Sequence, residues 1–153
     1  MFLNLILTWV VGITPLASLA VDGADATARG APIVLYLSRS DCPFCRHFEH
    51  DVLGPLIKSG RFESRVLYRQ LVMDGSKEVA NFRGQTLTPT QLATELGNVM
   101  SPTVLLLDGQ GRMLVAPRVG YNGNPYATFL LERAIAKSIA QMQTRKPAAT
   151  NAH

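Results

Sequence analysis

The most informative stretch of the sequence is Ser40-Asp41-Cys42-Pro43-Phe44-Cys45-Arg46-His47-Phe48, which holds the only two cysteines of the 153-residue chain. The residues before it, Ile33-Val34-Leu35-Tyr36-Leu37, are apolar, β-branched and aromatic, a pattern that predicts a buried strand. Phe48, Val52 and Leu56 follow at intervals of four residues, as on one face of a helix. The cysteine pair therefore lies where a strand passes into a helix.

This position gives the two cysteines different chemistry. The first turn of a helix has main-chain N–H groups without partners and a partial positive charge. Both would stabilise a thiolate at Cys42 and lower its pKa, which makes this sulfur the nucleophile. Pro43 suits the first turn because it has no N–H to lose and its φ is already helical. Cys45 lies one turn further on, where it can attack a mixed disulfide at Cys42 and release the substrate as the resolving thiol.

Two other uses of the cysteine pair stay open as alternatives. A structural disulfide across two residues closes so small a loop that it constrains the unfolded chain little. A metal site would need His47 and His50 as further ligands, at a spacing that is unusual for a zinc finger. Redox chemistry is therefore the favoured interpretation, and no metal site is expected.

The N-terminal segment predicts export. Residues 1–19 carry no charged side chain, and the apolar run from Phe2 to Ile13 matches the core of a secretory signal, although no Lys or Arg precedes it. Ser18-Leu19-Ala20 and Ala24-Asp25-Ala26 are candidate cleavage sites. An uncleaved membrane anchor is the alternative, but Pro15 interrupts an apolar run already short of the roughly 20 residues that a spanning helix needs. We favour a cleaved signal peptide over residues 1–20, and in either case disulfides can persist in the compartment reached.

The length and charge of the chain favour one domain without a nucleic-acid partner. A chain of 153 residues can bury one substantial core. Its net charge of +4 comes from scattered basic residues rather than a clustered stripe, so no nucleic-acid surface is expected. The small and polar residues over 21–30 predict a flexible lead-in. The domain is predicted over residues 31–142, and a disordered tail over residues 143–153.

Further elements follow from periodicity and capping signals. The first helix is predicted from Cys42 to about Lys58, with Gly54-Pro55 kinking it or ending it early. Its predicted outer face is polar: Arg46, His47, Glu49, His50 and Asp51. A second strand is predicted over 65–73, and a helix that begins with the capping box Thr88-Pro89-Thr90-Gln91.

The C-terminal third predicts a hairpin and a long helix. Val104-Leu105-Leu106-Leu107 reads as a buried strand, and Asp108-Gly109-Gln110-Gly111 as a hairpin turn. The returning strand is predicted over 112–115, at or near the sheet edge because Pro117 cannot donate to a central ladder. The last helix is predicted from the cap at Asn124-Pro125 to about Met142.

This order of elements, with C-P-F-C at the first strand–helix junction, resembles the thioredoxin fold over roughly Ala31 to Ala140. Ser101-Pro102-Thr103 before a core strand and the Asp-Gly hairpin before the final helix carry the resemblance further. The sequence is most similar to exported thioredoxin-like proteins of the SoxW type, which share a longer segment here spanning Ser76 to Met100. The resemblance implies a single α/β domain with a central mixed sheet of about four strands flanked by helices.

The resemblance also implies site residues for substrate binding. Pro102 should be cis and face the thiol pair, which leaves the backbone of Ser101 exposed for strand-like pairing with a substrate peptide. Phe44, exposed between the cysteines, would supply an apolar contact to that peptide.

Four residues are expected to tune the thiols: Tyr36, Asp41, Pro43 and His47. Thioredoxins have Trp before the first cysteine, where this chain has Asp41, whose negative charge should oppose thiolate formation. They also bury an acid six residues ahead of the first cysteine, where this chain has Tyr36. The proton acceptor for Cys45 therefore stays open among water, His47 and Asp41.

The function that the resemblance implies is a periplasmic thiol–disulfide oxidoreductase, anchored to the inner membrane if the N-terminal segment is uncleaved. Thr103 after Pro102 matches the reducing members, so protein disulfides are the expected substrates and a membrane dithiol protein the expected electron donor. No cofactor beyond the redox-active disulfide is expected. The alternatives are a DsbA-like oxidant, a non-catalytic peptide-binding or chaperone module, and a zinc or copper(I) metallochaperone.

Overall fold

The apolar run before the cysteines forms the middle strand of the sheet in the computed structural model, which describes residues 13–145. The strands, in chain order, are β1 (Thr14–Pro15), β2 (Ile33–Ser38), β3 (Leu67–Val72), β4 (Val79–Ala80), β5 (Thr86–Leu87), β6 (Thr103–Leu107) and β7 (Arg118–Val119). Five of them make one mixed sheet in the order β1-β3-β2-β6-β7, and β4 pairs with β5. The prediction of about four strands thus becomes five.

The helices lie on both faces of the sheet. They are α1 (Leu19–Arg29), α2 (Pro43–Phe48), α3 (Gly54–Lys58), α4 (Pro89–Glu95) and α5 (Ala127–Arg145), with a π-helical segment, Glu49–Leu53, joining α2 to α3. β2 runs parallel to β3 and antiparallel to β6, and all six of its residues are buried. It is therefore covered on both faces, which explains its unbroken apolar sequence.

Alternate residues of β2 enter two separate cores. Ile33, Leu35 and Leu37 belong to a cluster with residues of α1 and α4. Val34 and Tyr36 belong to a second cluster, which includes Phe48, Val52 and Leu56 from the helical stretch after the cysteines and Leu131, Ile135 and Ile139 from α5. The carboxyl end of β2 thus delivers the chain directly to the cysteine pair, held between two packed layers.

The flexible lead-in predicted over residues 21–30 is wrong, because this segment is the body of α1. Ser18 caps the helix by accepting the Val21 N–H, and Leu19 and Ala26 are fully buried. The small residues serve close packing: a Cβ on Gly23 would overlap the Gly109 carbonyl oxygen of the hairpin turn. The small residues of this segment therefore allow α1 to pack closely against the hairpin turn that follows β6.

The predicted export segment is described only in part. Residues 1–12 lie outside the described residues, whereas Thr14 and Pro15 pair with Arg69 and Gln70 of β3. Both candidate cleavage sites fall at or within α1, so a cut there would divide a folded element. In residues 13–145 no helix is long and apolar enough to cross a membrane.

The helix after the cysteines continues past Gly54-Pro55 instead of ending there. Pro55 has no N–H to continue the α-helical ladder, and the turn before it widens so that the Gly54 N–H donates to the Glu49 carbonyl oxygen. A Cβ on Gly54 would lie 2.7 Å from that oxygen, so this close approach requires glycine. The chain stays helical to Lys58 by means of this π turn.

The C-terminal half follows the prediction except in the hairpin. The capping box at Thr88 and Gln91 is present, and the predicted strand and final helix form as β6 and α5. The returning strand was predicted over 112–115, but only Met113 bridges to β6 there, and the paired edge strand is β7, after Pro117. Residues 143–145, predicted as the start of a disordered tail, are helical, and 146–153 lie outside the described residues.

Replacing Leu19 by Ala tests the packing of α1. Leu19 is fully buried, so Leu19→Ala should lower the free energy of unfolding by about 2–5 kcal/mol in urea titrations. The matched control is Val21→Ala on the same helix, where the side chain is 68% exposed and the change should stay within about 0.5 kcal/mol. Equal effects of the two substitutions would mean that α1 does not belong to the core.

Candidate active site

Cys42 lies at the amino end of α2, as the sequence predicts. It is the N-cap residue, its Sγ accepts the Cys45 N–H at 3.1 Å, and its carbonyl oxygen accepts the Arg46 N–H at 3.2 Å. Pro43 occupies the first turn. Cys42 and Cys45 form a disulfide, with 6% and 2% of their surfaces exposed. Cys42 is thus the more accessible of the two cysteines, and its sulfur receives a hydrogen bond from the helix terminus.

The loop before β6 faces this sulfur. Ser101 Oγ lies 3.5 Å from Cys42 Sγ, and the Ser101–Pro102 peptide bond is cis. Two hydrogen bonds fix the loop: Gly120 N–H donates to the Pro102 carbonyl oxygen at 2.8 Å, and the Thr103 hydroxyl donates to the Met100 carbonyl oxygen at 2.8 Å. The structure therefore brings Ser101, predicted from sequence, into contact with the Cys42 sulfur.

A groove of about 750 Å³ opens beside the cysteines. The three residues predicted to bind substrate, Phe44, Ser101 and Pro102, all line it. Phe44 is 60% exposed. The opposite wall of the groove comes from the segment around β7, in which the sequence predicts no strand: Pro117, Arg118, Val119, Gly120, Tyr121 and Asn122. In the sequence, Pro117 and Gly120 indicate irregular backbone in this segment. No local pattern indicates that the segment lies close to the cysteines.

The loop between β2 and the cysteines is fastened to the end of β3. The main-chain N–H and the hydroxyl of Ser40 both donate to the carboxylate of Asp74. These bonds hold the pKa of Asp74 below its usual value. On the other side, Arg39 donates to the Val99 carbonyl oxygen at 3.3 Å. The backbone that leads to Cys42 is thus hydrogen-bonded to the segment after β3 and to the segment before β6.

Tyr36 lies beneath the helix and donates a hydrogen bond from its hydroxyl to Glu49 Oε1 at 2.9 Å. Burial, and then the Glu49 carboxylate, raise the pKa of Tyr36 far above its ordinary value, so the phenol keeps its proton. The sequence placed Glu49 on the outer face, but it is half-buried. Glu49 was missed as a site residue because its partner lies 13 residues earlier on another element.

An aromatic row connects this position to the groove. The ring centroid of Phe48 is 5.7 Å from that of Tyr36 and 5.6 Å from that of Tyr121. The Tyr121 hydroxyl donates to Asp51 Oδ2 at 3.0 Å. Hydrogen bonds from His50 and Tyr121 hold the pKa of Asp51 below its usual value, and partial burial followed by the bond to Asp51 raises the pKa of Tyr121. The groove wall is therefore fixed to the active-site helix.

Two predicted tuning residues lie apart from these contacts. Asp41 and His47 are exposed, and neither makes a side-chain hydrogen bond within residues 13–145. His47 lies close enough to contribute, after the hydrogen bonds from His50 and Tyr121, to lowering the pKa of Asp51. The same residues contain no cluster of three or more His, Cys, Asp or Glu side chains that could hold a metal ion.

Comparison with known proteins identifies the architecture. Residues 19–133 match a family model described as a thioredoxin-like domain. A search among curated proteins finds no match.

Several solved structures superpose on the chain. A DsbH oxidoreductase does so with a TM-score of 0.59 at 17% identity, over 89% of this chain and 95% of that one. The thioredoxin of Fasciola hepatica gives 0.57 at 17%, over 82% and 99% of the two chains. Thioredoxin NaTrxh of Nicotiana alata gives 0.54 at 19%, over 83% and 95%. At these identities the superpositions establish the fold, and they confirm the predicted thioredoxin fold.

The fold and the bonded C-P-F-C pair together support thiol–disulfide oxidoreductase chemistry. A sulfur that can carry charge, a second sulfur one turn away and a groove beside both are the parts that thiol–disulfide exchange needs.

Removing the Ser101 hydroxyl tests its contact with Cys42. In the reduced protein this hydroxyl can donate to the thiolate, and a net hydrogen bond contributes about 0.5–1.5 kcal/mol, or roughly two- to tenfold. Ser101→Ala should therefore raise the pKa of Cys42 and slow its alkylation by iodoacetamide near neutral pH by that factor. Ser76→Ala, at an exposed serine, is the control and should leave the rate unchanged. Equal rates for Ser101→Ala and wild type would show that the hydroxyl does not stabilise the thiolate.

Proposed function

Because the chain belongs to the thioredoxin-like domain family, we propose that it reduces protein disulfides outside the cytoplasm. The observation that carries this proposal is the position of Cys42 at the helix terminus, facing Ser101 on the wall of a groove that Phe44 and Pro102 also line. A groove next to a nucleophilic sulfur can hold a peptide while its disulfide is exchanged. The edge backbone before β6 is suited to strand-like pairing with that peptide.

The reaction runs in two exchanges. The Cys42 thiolate attacks one sulfur of the substrate disulfide, which forms a Cys42–substrate bond and releases the other substrate sulfur as a thiolate. The Cys45 thiol loses its proton and attacks Cys42, which closes the disulfide seen in the structure and releases the second substrate sulfur. The substrate gains two electrons and two protons, and the protein needs a dithiol donor, which we place in the membrane. No cofactor other than this disulfide enters the cycle.

The proposed location is the periplasm, on the exported side of the inner membrane. The apolar N-terminal run supports export, and an oxidising compartment allows the disulfide to persist. A cut at Ser18-Leu19-Ala20 would remove β1 and the cap of α1. The fold therefore favours an anchor that is retained, or a cut before residue 13, over removal of residues 1–20.

Two further functions use the same groove. A DsbA-like oxidant would run the exchange backwards, and a difference of about 30 mV in reduction potential shifts that balance roughly tenfold. A non-catalytic peptide-binding module is favoured by one observation: Phe44 is 60% exposed on the groove wall. Exposed aromatic surface suits peptide capture whether or not exchange follows.

Insulin reduction with dithiothreitol separates the enzyme from the binding module. Wild type should accelerate the precipitation of insulin chains, and Cys42→Ser should fall to the rate of dithiothreitol alone, because the one remaining thiol belongs to Cys45, which is only 2% exposed. Equal rates with wild type and Cys42→Ser would support a binding module instead.

A trapping experiment tests the assigned roles of the two cysteines. Cys45→Ser should accumulate a substrate joined through Cys42, visible as a band on non-reducing gels that dithiothreitol removes, because no thiol is left to resolve it. Cys42→Ser is the matched control and should trap little, since Cys45 is 2% exposed. The opposite pattern would reverse the two roles.

A further inference from the structure

The resolving cysteine needs a proton acceptor. The position six residues before Cys42, where thioredoxins bury an acid, is occupied here by the phenol of Tyr36. Tyr36 is fully buried beneath the helix and keeps its proton, so it cannot accept one from a thiol. Its hydroxyl instead donates to Glu49 Oε1 at 2.9 Å. Tyr36 of β2 thus holds the carboxylate of Glu49, which belongs to the helical stretch after the cysteines.

Glu49 stands one helical turn after Cys45. Its main-chain N–H donates to the Cys45 carbonyl oxygen, so the two residues are neighbours on one face. Helical side chains lean towards the N-terminus, which directs the Glu49 carboxylate back over the turn that contains Cys45. Both residues are withdrawn from solvent: Cys45 is 2% exposed, and Glu49 is half-buried and bonded to Tyr36 of β2. Within residues 13–145, Oε2 of Glu49 makes no hydrogen bond and is free to accept one.

Other titratable groups near the helix are engaged or exposed. On the elements packed against it, burial and then Glu132 raise the pKa of Tyr68 to about 12, Glu132 pairs with Arg61, Tyr121 donates to Asp51, and Arg133 and Lys137 are exposed. On the stretch itself Asp41, Arg46, His47, His50 and Lys58 are exposed or half-exposed. Apart from burial, the cause of the raised pKa of Tyr36 is Glu49, not any of these other groups.

We propose that Glu49 is the base for Cys45 and that Tyr36 is the residue that positions it, an inference that rests on the proposed thiol–disulfide exchange. In the second exchange the Cys45 proton passes to a Glu49 oxygen as the Cys45 sulfur bonds to Cys42. The Cys42–substrate bond breaks, and its electron pair leaves on the substrate sulfur. Glu49 then gives up the proton to that sulfur or to water, which restores the carboxylate.

The reaction of the reduced protein with 5,5′-dithiobis(2-nitrobenzoate) separates the two exchanges. Cys42 attacks first and releases one thionitrobenzoate, and Cys45 then displaces the second from Cys42. Thionitrobenzoate leaves as a stable anion without needing a proton, so the second phase reports proton loss from Cys45. Both phases are followed by stopped-flow absorbance across about pH 5 to 8.

Glu49→Gln should slow the second phase by about tenfold or more near neutral pH and leave the first phase within about twofold. Glutamine keeps the size of the side chain and can still accept the Tyr36 hydroxyl, so only the basic group is lost. Tyr36→Phe should slow the second phase by a smaller factor, since the carboxylate stays but loses its anchor. Glu78→Gln is the control, because it removes an exposed carboxylate beside Val79, a residue of the other core.

A readout that a purely structural role would not move is rescue by a shorter carboxylate. Glu49→Asp should recover part of the second-phase rate that Glu49→Gln loses, because it keeps a basic group, whereas a structural role would favour the isosteric glutamine. A second phase in Glu49→Gln that is unchanged or faster would overturn the assignment, the faster result showing that Glu49 acts only as a repelling charge. If wild type has no first phase faster than that of a free thiol, the proposed function fails instead.

Discussion

The chemistry of the cysteine pair depends on the hydrogen bond from the Cys45 main-chain N–H to the Cys42 sulfur, 3.1 Å long at the amino end of a helix. A helix terminus has donors without internal partners, and here a sulfur takes the place of the usual capping oxygen. The same donor that satisfies the helix can stabilise the thiolate after reduction. Capping and nucleophilicity are thus two results of one position.

Holding a sulfur there requires support from both sides of the sheet. β2 ends directly before the pair, and its alternate residues are locked into two cores. Ser40 is fastened to Asp74 and the Pro102 carbonyl oxygen to Gly120, so the strand exit and the facing loop are each fixed by hydrogen bonds. The π turn lets the helix pass Pro55, which keeps Phe48 and Leu56 in the same core. The reactive pair therefore lies on a rigid frame, and the exposed Phe44 is its projecting contact.

The sequence predicts those parts of the fold whose signals are local. The buried strand before Cys42, the proline in the first helical turn and the capping box at Thr88 each depend on neighbours within a few residues, and each is present. The helical nature of residues 21–30 was missed because small residues suit a loop as well as a close contact with the hairpin turn. The Tyr36–Glu49 bond joins two elements, and helical periodicity alone assigned Glu49 to the solvent face. The position of a residue within one helix or strand can be predicted from its neighbours in the sequence. Its contacts with residues of other elements cannot.

The role of the helix terminus is tested most simply by the pKa of the Cys42 thiol, measured from thiolate absorbance during a pH titration of the reduced Cys45→Ser variant, where Cys42 is the remaining cysteine. A sulfur stabilised by the helix terminus should titrate clearly below the ordinary value of about 8.5. A pKa at or above that value would mean that the helix terminus does not stabilise the charge on which the exchange depends.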